Sequence, residues 1–153
     1  MAQKSAGLLV YRRTGSGLEF LLAHPGGPYW AKRDDGAWSI PKGLIGDGED
    51  ALAAARREFE EEVGQAVTGA FGPLTPLRQK SGKLIHAWMV EADLDLGGFR
   101  SNLFEMEWPP RSGRMQAFPE IDRVDWFALE AALVKILPGQ AAFIDEATAR
   151  LGG

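Results

Sequence analysis

The chain has 153 residues, 45% of them hydrophobic, enough for one domain spanning residues 1–153 with a sizeable core. Its net charge of −4 argues against binding a nucleic-acid polymer, and the absence of cysteine excludes disulfides and thiolate metal sites. No apolar run approaches the roughly 18 residues of a membrane span, and Gly7–Val10 is too short for a signal peptide, so a cytoplasmic protein is expected.

In chain order, Ala6–Tyr11 and Leu18–His24 read as strands joined by a hairpin turn at Thr14-Gly15-Ser16-Gly17. Pro25–Gly36 is a polar loop carrying Tyr29 and Trp30 beside Lys32 and Arg33. Aromatic faces with adjacent cations suit a nucleobase and phosphates, the alternative being aromatics that fold back as a loop anchor. Trp38–Ile40 is a short strand candidate. A helix is expected over about Gly48–Val63, with cap-type and acidic residues at its start and Gly64 just past its end.

On that helix Leu52, Ala55, Phe59 and Val63 share one stripe at about 100° per residue, and Glu58, Glu61 and Glu62 share a neighbouring face. The stripe is core. The three glutamates repel one another and sit in the last turns, where the helix dipole disfavours anions. Mg²⁺ or Mn²⁺, which prefer carboxylate oxygens, would reverse both penalties. Arg57 is spaced to orient one carboxylate without ligating metal, while Glu60 points away as a solvated residue.

Lys83–Asp93 and Arg123–Phe127 are later strand candidates, and Ala128–Leu137 and Ala141–Leu151 are helices separated by Pro138-Gly139. Between them, Phe99–Phe118 reads as a long connection with Trp108, two prolines, Arg111 and Arg114, expected to border a substrate site. His24 and His86 sit at strand positions and are read as structural. Strands interleaved with one central helix and followed by helices give an α/β fold, an α/β/α sandwich around a mixed β-sheet.

The stretch Gly43–Gly64 resembles the signature of the Nudix hydrolases, G-x5-E-x7-R-E-U-x-E-E-x-G-U with U aliphatic. Gly43, Glu49, Arg57, Glu58, Glu61, Glu62 and Gly64 match. Seven specified positions make a chance match on the order of 10⁻⁸ per starting point. Gln65 replaces the final aliphatic residue, and Leu44 and Gly46 stand where many members carry acids. Ala37–Gly43 looks like the lead-in to the box, and Phe118-Pro119-Glu120 with Trp126-Phe127 looks like the late segment of members acting on dinucleoside polyphosphates and nucleotides.

The resemblance implies the Nudix α/β/α sandwich and hydrolysis of a diphosphate linkage. It implies that Glu58, Glu61 and Glu62 hold Mg²⁺ or Mn²⁺, with the Gly43 carbonyl as a further ligand. Arg57 would orient the acids, and Glu49 would be a structural partner of the loop. Lys42 is placed to meet a phosphate, the alternative being a solvated loop lysine. The general base is a box glutamate or one of Glu105, Glu107 and Glu120.

The expected activity is therefore metal-dependent pyrophosphohydrolysis of a small-molecule nucleotide polyphosphate, a dinucleoside polyphosphate or a nucleoside triphosphate. Two alternatives stand beside it: a nucleotide-binding regulatory module of the same fold without hydrolysis, and a hydrolase of a non-nucleotide diphosphate such as a diphosphoinositol phosphate. The box specifies the reaction, and loops specify the leaving group. Oligomeric state leaves no mark on the sequence.

Overall fold

The computed structural model describes residues 3–152. Its main sheet is built on two long strands, β1 (Lys4–Thr14) and β2 (Gly17–Pro25), paired antiparallel through the expected hairpin. On its other side β1 runs parallel to β6 (Leu84–Glu91), and β2 is flanked by antiparallel β9 (Ile121–Ala128). Short strands β4 (Gly72–Pro73) and β5 (Leu77–Arg78) pair with β6, so the sheet is mixed.

Both faces of the sheet are covered, which is why β1 reads as a continuous apolar run rather than an alternating one. Ala6, Leu8 and Val10 meet α1 (Ala51–Val63) through Ala54, Ala55, Phe59 and Val63. Leu9 and Tyr11 face the opposite way, onto Phe143, Ile144 and Ala147 of α3 (Ala141–Arg150) and Ala132 of α2 (Leu129–Lys135). The α/β/α sandwich is as expected. No helix of the described residues is long and apolar enough to cross a membrane.

Three expectations are corrected. The helix starts at Ala51, not Gly48: Asp50 is in extended conformation, and its carboxylate accepts from the Ala53 N–H at 3.0 Å, a cap of about 1 kcal/mol. Trp38–Ile40 makes only isolated bridges, Ser39 to Ala23 and Trp38 to Ile136, while the strand forms four residues later as β3 (Lys42–Leu44) against β1. The third correction concerns Phe99–Phe118, which contains a separate hairpin, β7 (Leu103–Glu107) with β8 (Met115–Pro119). The alternation of Phe104 and Met106 with Glu105 and Glu107 is its signal in the sequence.

Candidate active site

The site begins where β3 runs under α1. Gly43 pairs with Ala6 of β1, and a Cβ on Gly43 would collide with the Glu58 carboxylate lying over it. Only glycine lets the strand pass this close to the acid. At the other end of the helix Gly64 takes the left-handed conformation (φ 85°) and its N–H donates to the Glu60 carbonyl, ending α1 directly behind the acids.

Arg57 organises that face. Its Nε and Nη2 donate to the two oxygens of Glu49 at 2.8 and 2.9 Å, Nη2 also to the Leu44 carbonyl at 3.1 Å, and Nη1 to Glu58 at 2.8 Å and Glu61 at 3.2 Å. Glu49 in turn accepts from the Gly46 N–H at 2.9 Å, so one guanidinium joins the loop after β3 to two helix carboxylates. The guanidinium holds the Glu49 carboxyl down to about 2, and the same pairing raises Arg57 further above its ordinary value.

Glu62 faces the other way, into a cleft of about 260 Å³ lined also by Trp30, Ser39, Lys42 and Glu120. It accepts from the Lys42 N–H at 3.2 Å. Burial pushes the Glu62 carboxyl up to about 8, aided by the charge of Glu58 and opposed by the Lys42 N–H and ammonium. Burial also lowers Lys42, with Lys83 adding to the effect and Glu62 and Glu58 opposing it. Glu120, at the cleft rim between β8 and β9, is raised by partial burial and by the charges of Glu58 and Glu61. Two groups of opposite charge thus share one partly dry cleft, and a fourth acid looks onto the helix face.

The family model for the NUDIX domain matches residues 1–147. The chain belongs to the NUDIX family. A curated relative, the Caenorhabditis elegans bis(5'-nucleosyl)-tetraphosphatase [asymmetrical], is 40% identical over 63 residues, 41% of this chain and 41% of that protein, so the match spans less than half the relative's length. Among solved structures, a C. elegans Ap4A hydrolase in binary complex superposes with TM-score 0.67 at 24% identity, over 97% of this chain and 98% of that one. The NUDIX domain of Shewanella oneidensis NrtR complexed with ADP ribose superposes with TM-score 0.71 at 14% identity, over 99% and 89% of the two chains. These two likenesses describe the fold.

Within the NUDIX box, Arg57 gathers Glu49, Glu58 and Glu61, and Gly43 lies under Glu58, while Glu62 turns from them into the cleft. The acids do not converge: among the described residues no group of three acidic or histidine side chains encloses a point where an ion could sit. The reason is visible in the network, since Arg57 Nη1 holds Glu58 and Glu61 while Glu62 turns to the Lys42 backbone. Gln65 is not idle where the box has an aliphatic residue; its Nε2 donates to the Asp95 carbonyl at 2.7 Å and ties the end of the box to the segment after β6.

The two aromatic candidates part company. Trp30 lines the cleft, with the Arg33 guanidinium 5.5 Å from its ring centre, whereas Tyr29 is 61% exposed and stands edge-on to Trp108 at 5.4 Å. Of the late acids, only Glu120 reaches the cleft; Glu105 is exposed on β7, and Glu107 accepts from the Arg111 N–H at 2.8 Å. His24 is structural as expected: buried, with Nδ1 2.7 Å from Asp122 and Nε2 donating to the Arg33 carbonyl at 2.6 Å, it anchors the loop that carries Trp30. Gln140 was not anticipated. Its buried amide accepts from the Ile40 N–H at 3.0 Å and donates to Ser39 at 3.0 Å, fixing the approach to β3. A glutamine in a helix-start sequence gives no sign of a partner 100 residues away.

Proposed function

We propose that this chain is a pyrophosphohydrolase that cleaves a diphosphate linkage in a nucleotide polyphosphate, a dinucleoside polyphosphate or a nucleoside triphosphate, with Mg²⁺ or Mn²⁺. One observation carries the reading: the box acid Glu62 lines a cleft together with an ammonium, an indole and the carboxylate of Glu120, and the charges of Glu58 and Glu61 act on that last acid. The same reading takes residues 1–153 as one domain of a cytoplasmic protein. Family membership and the partial likeness to an asymmetrical tetraphosphatase support it.

The donor set fits a hard divalent cation. It consists of oxygens alone, with no thiolate or imidazole among the box residues, and burial, with the charges of Glu58 and Glu120, pushes the Glu62 carboxyl up to about 8, a penalty that a bound cation would offset. Glu58, Glu61 and Glu62, with the Gly43 carbonyl, are the residues that would hold it. When bound, such a cation offsets the charge that grows on the phosphoryl oxygens during hydrolysis.

The chain's own groups do the rest. Arg57 holds one oxygen each of Glu58 and Glu61 through a single nitrogen, and among the described residues their other oxygens accept no hydrogen bond. Lys42 presents its ammonium to a substrate phosphate inside the cleft, where partial dryness strengthens the attraction. Trp30 offers an indole face to the base, with Tyr29 beside it at the rim. Glu120 takes the proton from the attacking water, since its raised affinity for protons suits a general base and it faces the box acids without being bonded to them.

The test is turnover of purified protein with Mg²⁺ or Mn²⁺ against nucleoside triphosphates, diadenosine polyphosphates, nucleotide sugars and diphosphoinositol phosphates, products resolved by chromatography. Metal-dependent cleavage of a nucleotide polyphosphate, lost in Glu61→Gln with its melting temperature retained, is the expected result. Cleavage of diphosphoinositol phosphates alone, or nucleotide binding without cleavage, would overturn it.

A further inference from the structure

The β7–β8 hairpin belongs to neither face of the sandwich, and its tip is built with care. Across its end the Trp108 N–H donates to the Arg114 carbonyl at 3.0 Å, and the Ser112 N–H donates to the Pro109 carbonyl at 3.1 Å. Arg111 lies in the left-handed region at φ 62°, a sparsely populated conformation for a long side chain, and the Glu107 carboxylate accepts from its N–H. The next position but one, Gly113, also has positive φ (72°), and the Arg114 N–H is capped by the Ser112 hydroxyl at 3.1 Å. The turn thus holds two arginines three positions apart at an exposed end. Among the described residues neither guanidinium donates a hydrogen bond or forms an ion pair, in a chain of net charge −4.

The hairpin is also joined to the cleft wall. Phe104 packs under Gly27, where an added Cβ would lie 3.0 Å from its ring, and Trp108 meets Tyr29 edge-on. Tyr29 is the neighbour of Trp30, which lines the cleft. The aromatic surface therefore runs from the cleft out to the hairpin, where the two arginines wait beyond Trp108. Aromatic faces with free guanidinium groups suit a base and its phosphates.

We propose that Tyr29, Trp108, Arg111 and Arg114 bind the far half of a dinucleoside polyphosphate, the second base on the aromatic pair and the outer phosphates on the arginines. The inference rests on reading the cleft as a nucleotide polyphosphate site, and it selects the dinucleotide over the nucleoside triphosphate. A triphosphate carries no second base for the Tyr29–Trp108 pair to take. These four are specificity residues and leave the reacting phosphorus untouched.

The test compares diadenosine tetraphosphate with ATP, in wild type and in Arg111→Gln/Arg114→Gln, by steady-state kinetics with Mg²⁺ and by calorimetric Kd in a Glu61→Gln background. Each lost charge-assisted contact should weaken the dinucleotide about tenfold in KM and Kd, and ATP by less than about twofold, with kcat unchanged. An unchanged melting temperature shows that the variant is folded. Trp108→Leu should act in the same direction, and Arg13→Gln, at the far end of β1, controls for net charge. Equal effects on both ligands, no effect, or an Arg13→Gln effect as large would overturn the proposal. If wild type cleaves neither ligand but the selective loss in Kd persists, the hydrolase reading falls and the hairpin site stands. Cleavage of both with unchanged affinities would leave the hydrolase and remove the hairpin site.

Discussion

Arg57 grips Glu49 through two parallel hydrogen bonds, 2.8 Å from Nε and 2.9 Å from Nη2, and this fork fixes the loop after β3 to the middle of α1. Planar bidentate pairing is something lysine cannot reproduce, so the geometry explains why an arginine stands here. The remaining guanidinium nitrogen reaches Glu58 and Glu61, which makes the position of both acids depend on Glu49.

That pair sets an acid limb of stability. The Glu49 carboxyl is held near 2 against an ordinary 4.5, so the unfolded chain binds the proton more readily than the folded one. The contribution is complete above pH 4.5 and drains away as pH falls toward 2. Urea unfolding followed across that window should show wild type converging on Glu49→Gln as the solution is acidified; a constant gap between the two would contradict it.

Glu62 has the opposite sign. Its folded carboxyl is raised to about 8, so in the metal-free protein it costs stability that grows as pH rises from 4.5 through 8. In EDTA, Glu62→Gln should melt higher than wild type at pH 8 and about the same at pH 4.5. Mg²⁺ or Mn²⁺ should close the difference from the wild-type side, with proton release visible as a buffer-dependent heat. A Glu62→Gln protein that melts lower at pH 8 would sink this account.

Glu120 and Glu105 separate the candidate bases. Glu120→Gln should lower kcat by about 10²–10⁴-fold and flatten the acidic limb of the pH–rate profile, with metal affinity retained. Glu105→Gln, exposed on β7, should leave both unchanged. Equal losses in the two variants would return the role of base to a box glutamate.

Gly43→Ala tests the close approach of β3 to α1. The new methyl group collides with the Glu58 carboxylate, so the acid must swing away or the strand must shift, at about 1–3 kcal/mol of stability. Turnover should fall further than stability explains, because the displaced group is a box acid. Chemical denaturation and kcat on the same preparation provide the comparison.

The box and its helix were legible because their spacing is local. Residues three and four apart share a helix face whatever the rest of the chain does, so Glu58, Glu61 and Glu62 could be placed together, and the core stripe Ala55, Phe59, Val63 could be separated from them. The helix start was missed by a few residues because Asp47, Glu49 and Asp50 are all plausible first-turn acids. Only the turn that folds Glu49 back onto Gly46 and Arg57 makes Asp50 the cap.

By itself the sequence determined the α/β pattern, the carboxylate face and the arginine set to organise it, all from periodicities that need no long-range contact. The tertiary structure alone decided which distant residues meet at the cleft beside Glu62, Glu120 rather than Glu105 or Glu107 and Trp30 rather than Tyr29, and which one holds its wall, Gln140 bonded to Ile40 from 100 residues away. It also turned an apparent loop into the β7–β8 hairpin. The physical reason is that these contacts depend on how strands cross and loops return over the sheet, and that depends on packing summed over the whole core rather than on any neighbour in the chain.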